Sequence, residues 1–408
     1  IAAILLIQPE ALPPAALYAL DQFVLRGGKL MVFADPFSER QAALNQQQFL
    51  PPILADLDSI KPLFDAWGFA VPAGTLAADP PSARRGMAYS QGRQVVTDYV
   101  VWLALGRERF KADDPSLAEL TVLNFNSSGV VQPLEGAGTS FTALAGTSPE
   151  GSQVPVQQVA MQPDPIQLLA GYQPLGSQTL VARVTGPAKS AFPEGPPAAL
   201  AEDGAVDFPA LQAAHLAEAA APIDVVVVAD TDFLFDQTWI SAEAGGQVRP
   251  LANNGDLVLN LLDAMTGQAG LATLRGRGLV NRPFTVMETM QREAELKYRT
   301  REQELLDRIR EAEAEIGEIE ESGEGGVVLT PEQEAAIEGL RRELLEARRE
   351  LREVQRGLRD DLETLVQRLQ LANIAAVPAA VALIGLLVAL LRRRRAQRGA
   401  VADGQVQD

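Results

Sequence analysis

The chain has 408 residues, of which 53 are acidic and 35 are basic, so its net charge at pH 7 is −18. This excess of acidic side chains argues against nucleic acid as a partner, because phosphate binding requires a basic surface. The chain contains no cysteine, which excludes disulfides and thiolate metal sites. Its length is sufficient for one large domain or two ordinary ones.

The first 35 residues have the pattern of a strand, a helix and a second strand. The opening run IAAILLI is typical of a buried parallel strand. Pro13-Pro14 predicts the start of a helix, and Gly27-Gly28 predicts its end. The run LMVF at 30–33 predicts the second strand. These elements indicate an α/β domain with a mostly parallel sheet.

The sequence opens inside a predicted strand and shows no signal peptide. We therefore interpret it as a piece of a protein whose N-terminal region, with room for another membrane segment, precedes Ile1.

The middle of the chain has weaker patterns. A helix is predicted at 59–67, and strands or buried segments are predicted at 94–105, 120–125 and 178–184. Pro/Gly-rich stretches at 136–155 and 186–197 predict loops. The alanine-rich stretch 198–221 is interpreted as partly helical or mobile.

A second clear parallel strand is predicted at Ile223, where the sequence reads IDVVVVAD. Asp230, Asp232 and Asp236 follow it. Carboxylates at the carboxyl end of a parallel strand occupy the usual ligand position of an α/β sheet, and three of them could hold Mg²⁺ or Ca²⁺. Aspartate is also an ordinary helix-capping residue, and Asp35 ends its strand in the same way. The sequence therefore leaves both a metal site and a structural role open for this group.

The run NNGD at 253–256 predicts a turn that caps a helix continuing through Leu257, Leu261 and Leu262. The α/β domain is accordingly assigned to 1–283.

Sequence motifs for catalysis are missing. No GxxxxGK[ST] phosphate loop is present, and Gly27-Gly28-Lys29 precedes a strand, so it is interpreted as a helix cap. The single histidine, His215, lies in the alanine-rich stretch, without a GxSxG nucleophile elbow, and is interpreted as a surface residue. We therefore predict that the chain is not an enzyme and uses no cofactor.

Residues 284–370 have the pattern of a coiled-coil hairpin. Ile309, Ala312, Ile316 and Ile319 have the spacing of a coiled-coil seam. A Gly-rich break at 321–330 follows, and a longer seam then runs from Ile337 to Leu369. Two helices joined by a short turn are expected to pack antiparallel.

Residues 371–391, LANIAAVPAAVALIGLLVALL, contain no charged side chain and predict a transmembrane helix. Four arginines, at 392–395, follow directly. Positive charge next to a membrane span favours the cytoplasmic side, so 392–408 is predicted to be a short cytoplasmic tail. The bulk of the chain is then extracytoplasmic, in the periplasm of a Gram-negative cell, and attached to the inner membrane.

Several segments together resemble the GldG family of auxiliary membrane components of ABC transporters associated with gliding motility. The similar segments are ALYALDQFVLRGGKLMVFADPF, VVVVADTDFLFDQTW, NNGDLVLNLLD, RGRGLVNRPF and the heptads that end in the apolar span and its arginines. The resemblance implies an extracytoplasmic α/β domain beside a permease, with a separate ATPase subunit supplying energy. It also implies a fold like that of glutamine amidotransferases, but the cysteine nucleophile of those enzymes is missing here. No catalytic residue is carried over from the family.

Three hypotheses follow. The leading one is a non-enzymatic, membrane-anchored auxiliary subunit of an ABC transporter, whose α/β domain contacts cargo or permease and whose hairpin tip contacts an envelope protein. The alternative is a structural tether of the cell envelope that acts through the hairpin. The third is a metal-dependent hydrolase that uses Asp230, Asp232 and Asp236.

Overall fold

The computed structural model describes residues 1–267, apart from 10, 51–53, 91–92, 162, 203–206 and 243–247. It also describes helical pieces at 301, 304–305, 308–309, 311–316, 335–350 and 352–353. Contacts divide the chain into two compact units, Ile1–Asn281 and Arg282–Asp408.

The described part of the first unit contains fourteen strands and nine α-helices. The strands are β1 Ala3–Ile7, β2 Lys29–Phe33, β3 Phe69–Ala70, β4 Thr75–Ala78, β5 Ala83–Ser90, β6 Arg93–Gly106, β7 Val122–Asn126, β8 Gln132–Pro133, β9 Ser140–Gly146, β10 Ser152–Pro155, β11 Thr179–Gly186, β12 Ile223–Val228, β13 Ile240–Ala242 and β14 Val248–Pro250. The α-helices are α1 Pro14–Leu25, α2 Glu39–Gln47, α3 Lys61–Trp67, α4 Gln157–Ala160, α5 Pro165–Ala170, α6 Ala199–Glu202, α7 Phe208–Ala213, α8 Asp236–Trp239 and α9 Asn254–Met265.

The central sheet has five strands in the order β1-β2-β12-β11-β9. β2 pairs in parallel with β1 and with β12. β11 is antiparallel to both of its neighbours. The sheet is therefore mixed, and the prediction of a mostly parallel sheet was wrong. The α/β class is confirmed, and the two predicted apolar runs, 30–33 and the run after Ile223, are strands with parallel partners.

The two central strands have apolar side chains on both faces. Leu30 and Val32 of β2 pack in one core cluster with Val225 and Val227 of β12, beside helices α1 and α3. Their neighbours in sequence point the other way and join a second cluster with α9, which contains Met31, Phe33, Val226, Val228, Leu257 and Leu261. Because alternate strand residues face opposite sides, a strand covered on both faces is apolar at every position. This explains the uninterrupted apolar runs.

β1 is an edge strand and is only partly covered. Leu5 is 42% exposed and Ile7 is 50% exposed. The prediction that IAAILLI forms a strand parallel to the next one is confirmed. The prediction that it is buried was wrong, because the described residues add no strand on its outer side.

The first helix has the predicted ends. Pro14 is its first residue, and Gly27 has a φ of +89°, the left-handed conformation that glycine adopts without steric cost. Lys29 then begins β2. Gly27-Gly28-Lys29 is therefore a helix cap, as predicted, and not a phosphate-binding loop.

The middle of the chain forms a smaller antiparallel sheet of β5, β6 and β7, which contains the predicted strands at 94–105 and 120–125. The prediction of a loop at 136–155 was wrong, since β9 and β10 lie there. β9 is the last strand of the central sheet, and β10 pairs with β4. The stretch 198–221 contains two short helices, α6 and α7, as predicted.

Helix α9 confirms the prediction after Asn253, but its cap differs from the predicted one. Asn253 makes no side-chain cap to the helix. Its Oδ1 accepts hydrogen bonds from the Thr121 backbone N–H and hydroxyl and from the Val122 N–H. Asn253 therefore connects the start of α9 to β7.

Within the second unit, the described helical pieces contact one another. Leu305, Ile309 and Ala347 form a buried apolar cluster. Arg301 donates to Glu350, and Arg308 donates to Glu343, each at 2.9 Å. The predicted turn at 321–330 lies outside the described residues, so the hairpin stays a prediction.

No helix in the described part of the chain is long and apolar enough to cross a membrane. The predicted span at 371–391 and the tail at 392–408 lie outside the described residues.

Candidate functional site: a buried carboxylate cluster

Three aspartates meet at the carboxyl ends of the parallel strands β2 and β12. Asp35 follows β2, and Asp230 and Asp232 follow β12. Their side chains are buried, and one carboxylate oxygen of each lies within 4.8 Å of the others. Two of the three residues predicted from the sequence therefore belong to this cluster. The third, Asp236, is exposed at the start of α8, and Asp35 takes its place.

Asp35 connects the ends of three strands. Its Oδ1 accepts a hydrogen bond from the Phe37 N–H at 2.8 Å, and its Oδ2 accepts from the N–H and hydroxyl of Thr231 at 2.9 and 2.8 Å. Its backbone carbonyl accepts from the side-chain amide of Gln8, which follows β1. The side chain therefore holds the end of β2 against the end of β12.

Asp230 connects β12 to the smaller sheet. Its Oδ2 accepts from the Asn126 N–H at 2.8 Å, and its Oδ1 accepts from the Phe233 N–H at 2.9 Å. Asn126 is the last residue of β7. Asp230 thus fixes the two sheets relative to each other within the first unit.

Asp232 caps a helix from another part of the chain. Its oxygens accept from the Ser38 hydroxyl at 2.9 Å and from the Glu39 N–H at 2.6 Å. The Arg40 N–H lies 3.2 Å from Oδ1. These donors belong to the N-terminus of α2, where backbone N–H groups have no partner within the helix.

Burial raises the pKa of all three carboxyl groups. The pKa of Asp35 is raised to about 7, by desolvation first and then by the neighbouring Asp232 charge. Desolvation and repulsion from Asp35 and Asp232 raise the pKa of Asp230 well above its usual value. Desolvation also raises the pKa of Asp232, against the opposing effect of its hydrogen bonds. The cluster therefore retains protons at a pH where exposed aspartates have lost them.

The cluster has the oxygen ligands that Mg²⁺ and Ca²⁺ prefer. However, each of its six carboxylate oxygens already accepts at least one hydrogen bond from an N–H or hydroxyl group of the protein. This arrangement is that of a structural cluster, in which carboxylates join loop ends and cap a helix.

A crevice of about 480 Å³ lies beside the cluster. Gln8, Ser38, Arg40, Thr231 and Asp232 are among the residues that line it. It is at the ends of the parallel strands, where α/β sheets usually bind ligands. Only Asp232 of the three clustered aspartates reaches this crevice.

His215 is not the surface residue that the sequence suggested. It is half-buried, its Nδ1 lies 3.2 Å from the Tyr18 hydroxyl oxygen, and its ring stacks on Tyr18 at a centroid distance of 5.8 Å. The prediction was wrong because the alanine-rich stretch around it packs against α1. The histidine's described contacts are those of a packing residue.

Glu39 is a residue that the sequence did not single out. Its Oε1 accepts a hydrogen bond from the Trp102 indole N–H at 2.6 Å and another from the Ser127 hydroxyl. Burial raises its pKa. In the sequence it resembles any acidic residue in the first turn of a helix, so no local pattern could have identified it.

A family of known proteins matches the larger part of the chain. The family described as ABC-type uncharacterized transport system matches residues 1–261, and this agrees with the resemblance to GldG-type auxiliary components. No curated protein and no solved structure matches the chain.

Proposed function

The chain belongs to the ABC-type uncharacterized transport system family of auxiliary components, and from this membership we propose that it is a non-enzymatic, membrane-anchored auxiliary subunit of an ABC transporter of the gliding-motility type. Its α/β unit contacts cargo or permease on the outer side of the inner membrane. A separate ATPase subunit supplies the energy.

The hydrogen bonding of the carboxylate cluster is the observation that supports the non-enzymatic part of the proposal. Burial raises the pKa of Asp35, Asp230 and Asp232 at the carboxyl ends of the strands. All of their oxygens accept hydrogen bonds that hold elements of the fold together. Carboxylates whose oxygens all accept structural hydrogen bonds fit a rigid binding domain better than a hydrolytic site.

Sequence supports the membrane anchor. Residues 371–391 are apolar throughout and are followed by four arginines. In this proposal the anchor positions the α/β unit beside the permease.

The alternative is a structural tether that acts through the helical hairpin. The burial of Leu305, Ile309 and Ala347 in one cluster favours pairing of the two helical stretches. The cross-contacts Arg301–Glu350 and Arg308–Glu343 favour it as well. In this case an envelope protein at the tip of the hairpin is the functional partner.

Purification of the full-length protein in a mild detergent, with mass spectrometry of the co-purifying proteins, tests the proposal. We expect a permease and an ATPase in stoichiometric amounts. A tagged single-span protein from the same membrane serves as the control. Isolation of the chain alone, or with envelope scaffold proteins only, would contradict the transporter proposal and favour the tether.

A variant without 284–370, with the anchor joined directly to the α/β unit, then locates the contact. Retention of the permease places the contact on the α/β unit or the anchor. Loss of the permease, with the α/β unit still folded, places it on the hairpin.

A further inference from the structure

A second cavity, separate from the crevice beside the cluster, has mostly apolar walls. It has a volume of about 470 Å³ and lies between α2, the β5–β6 strand pair and the segment that contains α4 and α5. Its walls include Ala43, Met87, Tyr99, Trp102, Met161 and Pro165. Cavities of this size and composition are typical of small-molecule sites.

Glu39 is the one charged side chain among the described residues that line this cavity. Both of its described donors, Trp102 and Ser127, bond to Oε1. None of the described residues donates a hydrogen bond to Oε2. A carboxylate oxygen without a protein donor loses solvation when an apolar ligand fills the cavity, unless the ligand itself donates a hydrogen bond to it.

Asp232 and Arg84 both act on Glu39, and the Arg84 guanidinium lies 5.6 Å from the centroid of the Trp102 ring. Asp232 lies close enough to add to the negative potential at Glu39. The positive charge of Arg84 opposes this negative potential, but the Arg84 guanidinium donates its hydrogen bonds to the Phe125 carbonyl and to Asn126 Oδ1. No ion pair between Arg84 and Glu39 is found among the described contacts.

Two aromatic rings form a corner of the same cavity. The centroids of Tyr99 and Trp102 are 5.1 Å apart, and the rings are inclined at 63°. An irregular register brings them together, since Arg84 pairs with Tyr99 while the preceding Ala83 pairs with Leu103. Aromatic faces attract organic cations, and an aromatic corner beside a carboxylate strengthens that preference.

The rim of the cavity has two exposed methionines. Met87 is 69% exposed and Met161 is 70% exposed. Their flexible thioether side chains suit a surface that closes over an apolar ligand.

We propose that this cavity binds a small organic ammonium ion, with the ammonium donating to Glu39 Oε2 and the apolar body packing against Tyr99, Trp102 and the two methionines. A neutral apolar molecule would leave Glu39 Oε2 unpaired, and an anion would be repelled. The binding requires neither a permease nor an ATPase, so it is independent of the proposed transport role.

Binding of three matched probes to the full-length protein in lipid nanodiscs tests this proposal. The probes are 2-phenylethylammonium, the neutral 2-phenylethanol and the anionic 3-phenylpropanoate, measured by titration calorimetry with empty nanodiscs subtracted. We expect the ammonium ion to bind at least about tenfold more tightly than the alcohol, and the anion not to bind.

Glu39→Gln is the decisive variant, because the amide keeps an acceptor for Trp102 and Ser127 and removes the charge. We expect the ammonium ion to bind this variant no better than the alcohol does. The exposed Glu135→Gln serves as the matched control and should bind as the original protein does.

Equal affinities for the ammonium ion and the alcohol, an unchanged preference in Glu39→Gln, or no binding of any probe would each overturn the proposal. If Glu39→Gln does not fold, Met161→Lys gives a second test at an exposed position. Its own ammonium should compete for Glu39 and weaken binding of the ammonium probe about tenfold or more, and undiminished binding would overturn the proposal.

Discussion

Asp232 follows one strand of the central sheet and completes the first turn of a helix that begins at Glu39. It accepts hydrogen bonds from the Ser38 hydroxyl and from the backbone of Glu39 and Arg40. A carboxylate at this end of a helix also interacts favourably with the helix dipole. The residue therefore contributes to stability through a contact between distant parts of the sequence.

We expect Asp232→Ala to lower the free energy of unfolding by about 1–2 kcal/mol, the usual cost of losing a helix cap. Relief of repulsion with Asp35 and Asp230 offsets part of the loss. Asp236→Ala is the matched control, since Asp236 is exposed, and should change stability by less than about 0.5 kcal/mol. Urea denaturation of both variants measures the difference.

The same two variants separate the structural role from a metal site. If the cluster is structural, millimolar Mg²⁺ or Ca²⁺ should leave the melting temperature of the original protein unchanged. A rise in melting temperature with either cation that disappears in Asp232→Ala but persists in Asp236→Ala would instead support the metal hypothesis.

At the scale of single residues, the sequence identified Asp230 and Asp232 because they directly follow a clear strand. It could not assign Asp35 to the same cluster, since that step requires knowing that β2 and β12 are neighbours. Thr231 and Asp35, which are hydrogen-bonded, are 196 positions apart. Proximity of this kind has no local signature.

At the scale of elements, the doubly covered strands could be predicted from their apolar runs, whereas the edge strand β9 could not. β12 is buried at all six positions and is apolar at five of them. Among the described strands β9 pairs with β11, apart from an isolated bridge between Ala145 and Phe110, and it mixes exposed and buried positions, so its residues, SFTALAG, resemble a loop. An apolar run also specifies no partner, which is why the mixed order of the sheet was not predicted.

We expect Gly146→Ala to destabilise the protein by about 1–3 kcal/mol through steric overlap. Gly146 ends β9, and a Cβ added there would lie 2.5 Å from the Gln178 carbonyl oxygen, which belongs to the backbone and cannot move aside cheaply. Gly74→Ala is the control, because no heavy atom lies within 4 Å of an added Cβ there. Thermal unfolding of the two variants compares them, and equal melting temperatures would contradict the steric explanation.

At the scale of the whole molecule, the buried acids predict that stability falls as the pH rises from about 4 to about 7. The pKa of Asp35 is raised from 3.8 to about 7, so the folded protein binds a proton that the unfolded chain has already released. The stabilisation from this proton is complete below pH 4 and is lost as the pH passes 7. The change should be on the order of a few kcal/mol.

Denaturation over this pH range should be measured at high salt, because the net charge of −18 acts in the same direction through surface repulsion. Salt screens the charge of a buried group such as Asp35 much less than it screens charges on the surface. Asp35→Asn is expected to be less stable overall and to show a shallower pH dependence. A pH profile that is flat, or that is equally steep in Asp35→Asn, would contradict the assignment.

The family of the chain could be recognised from the sequence, because the chain contains several short segments that resemble the family, in the family's order. What the sequence did not identify is the apolar cavity with Glu39. Its walls come from α2, the β5–β6 pair and the α4–α5 segment. These elements meet only after the smaller sheet has packed onto the larger one.

The order of strands in the central sheet also affects how the protein is made. β2 is an interior strand of the sheet, but its partner β12 follows after an interval of nearly 200 residues, as the contact between Thr231 and Asp35 shows. At about 5–20 residues per second, a ribosome needs about 10–40 s to synthesise that interval. During this time one edge of β2 lacks its partner strand, and the face that packs against α9 lacks that helix. The nascent chain therefore has to be kept from aggregating, by a chaperone or by transient burial, until Val228 has emerged.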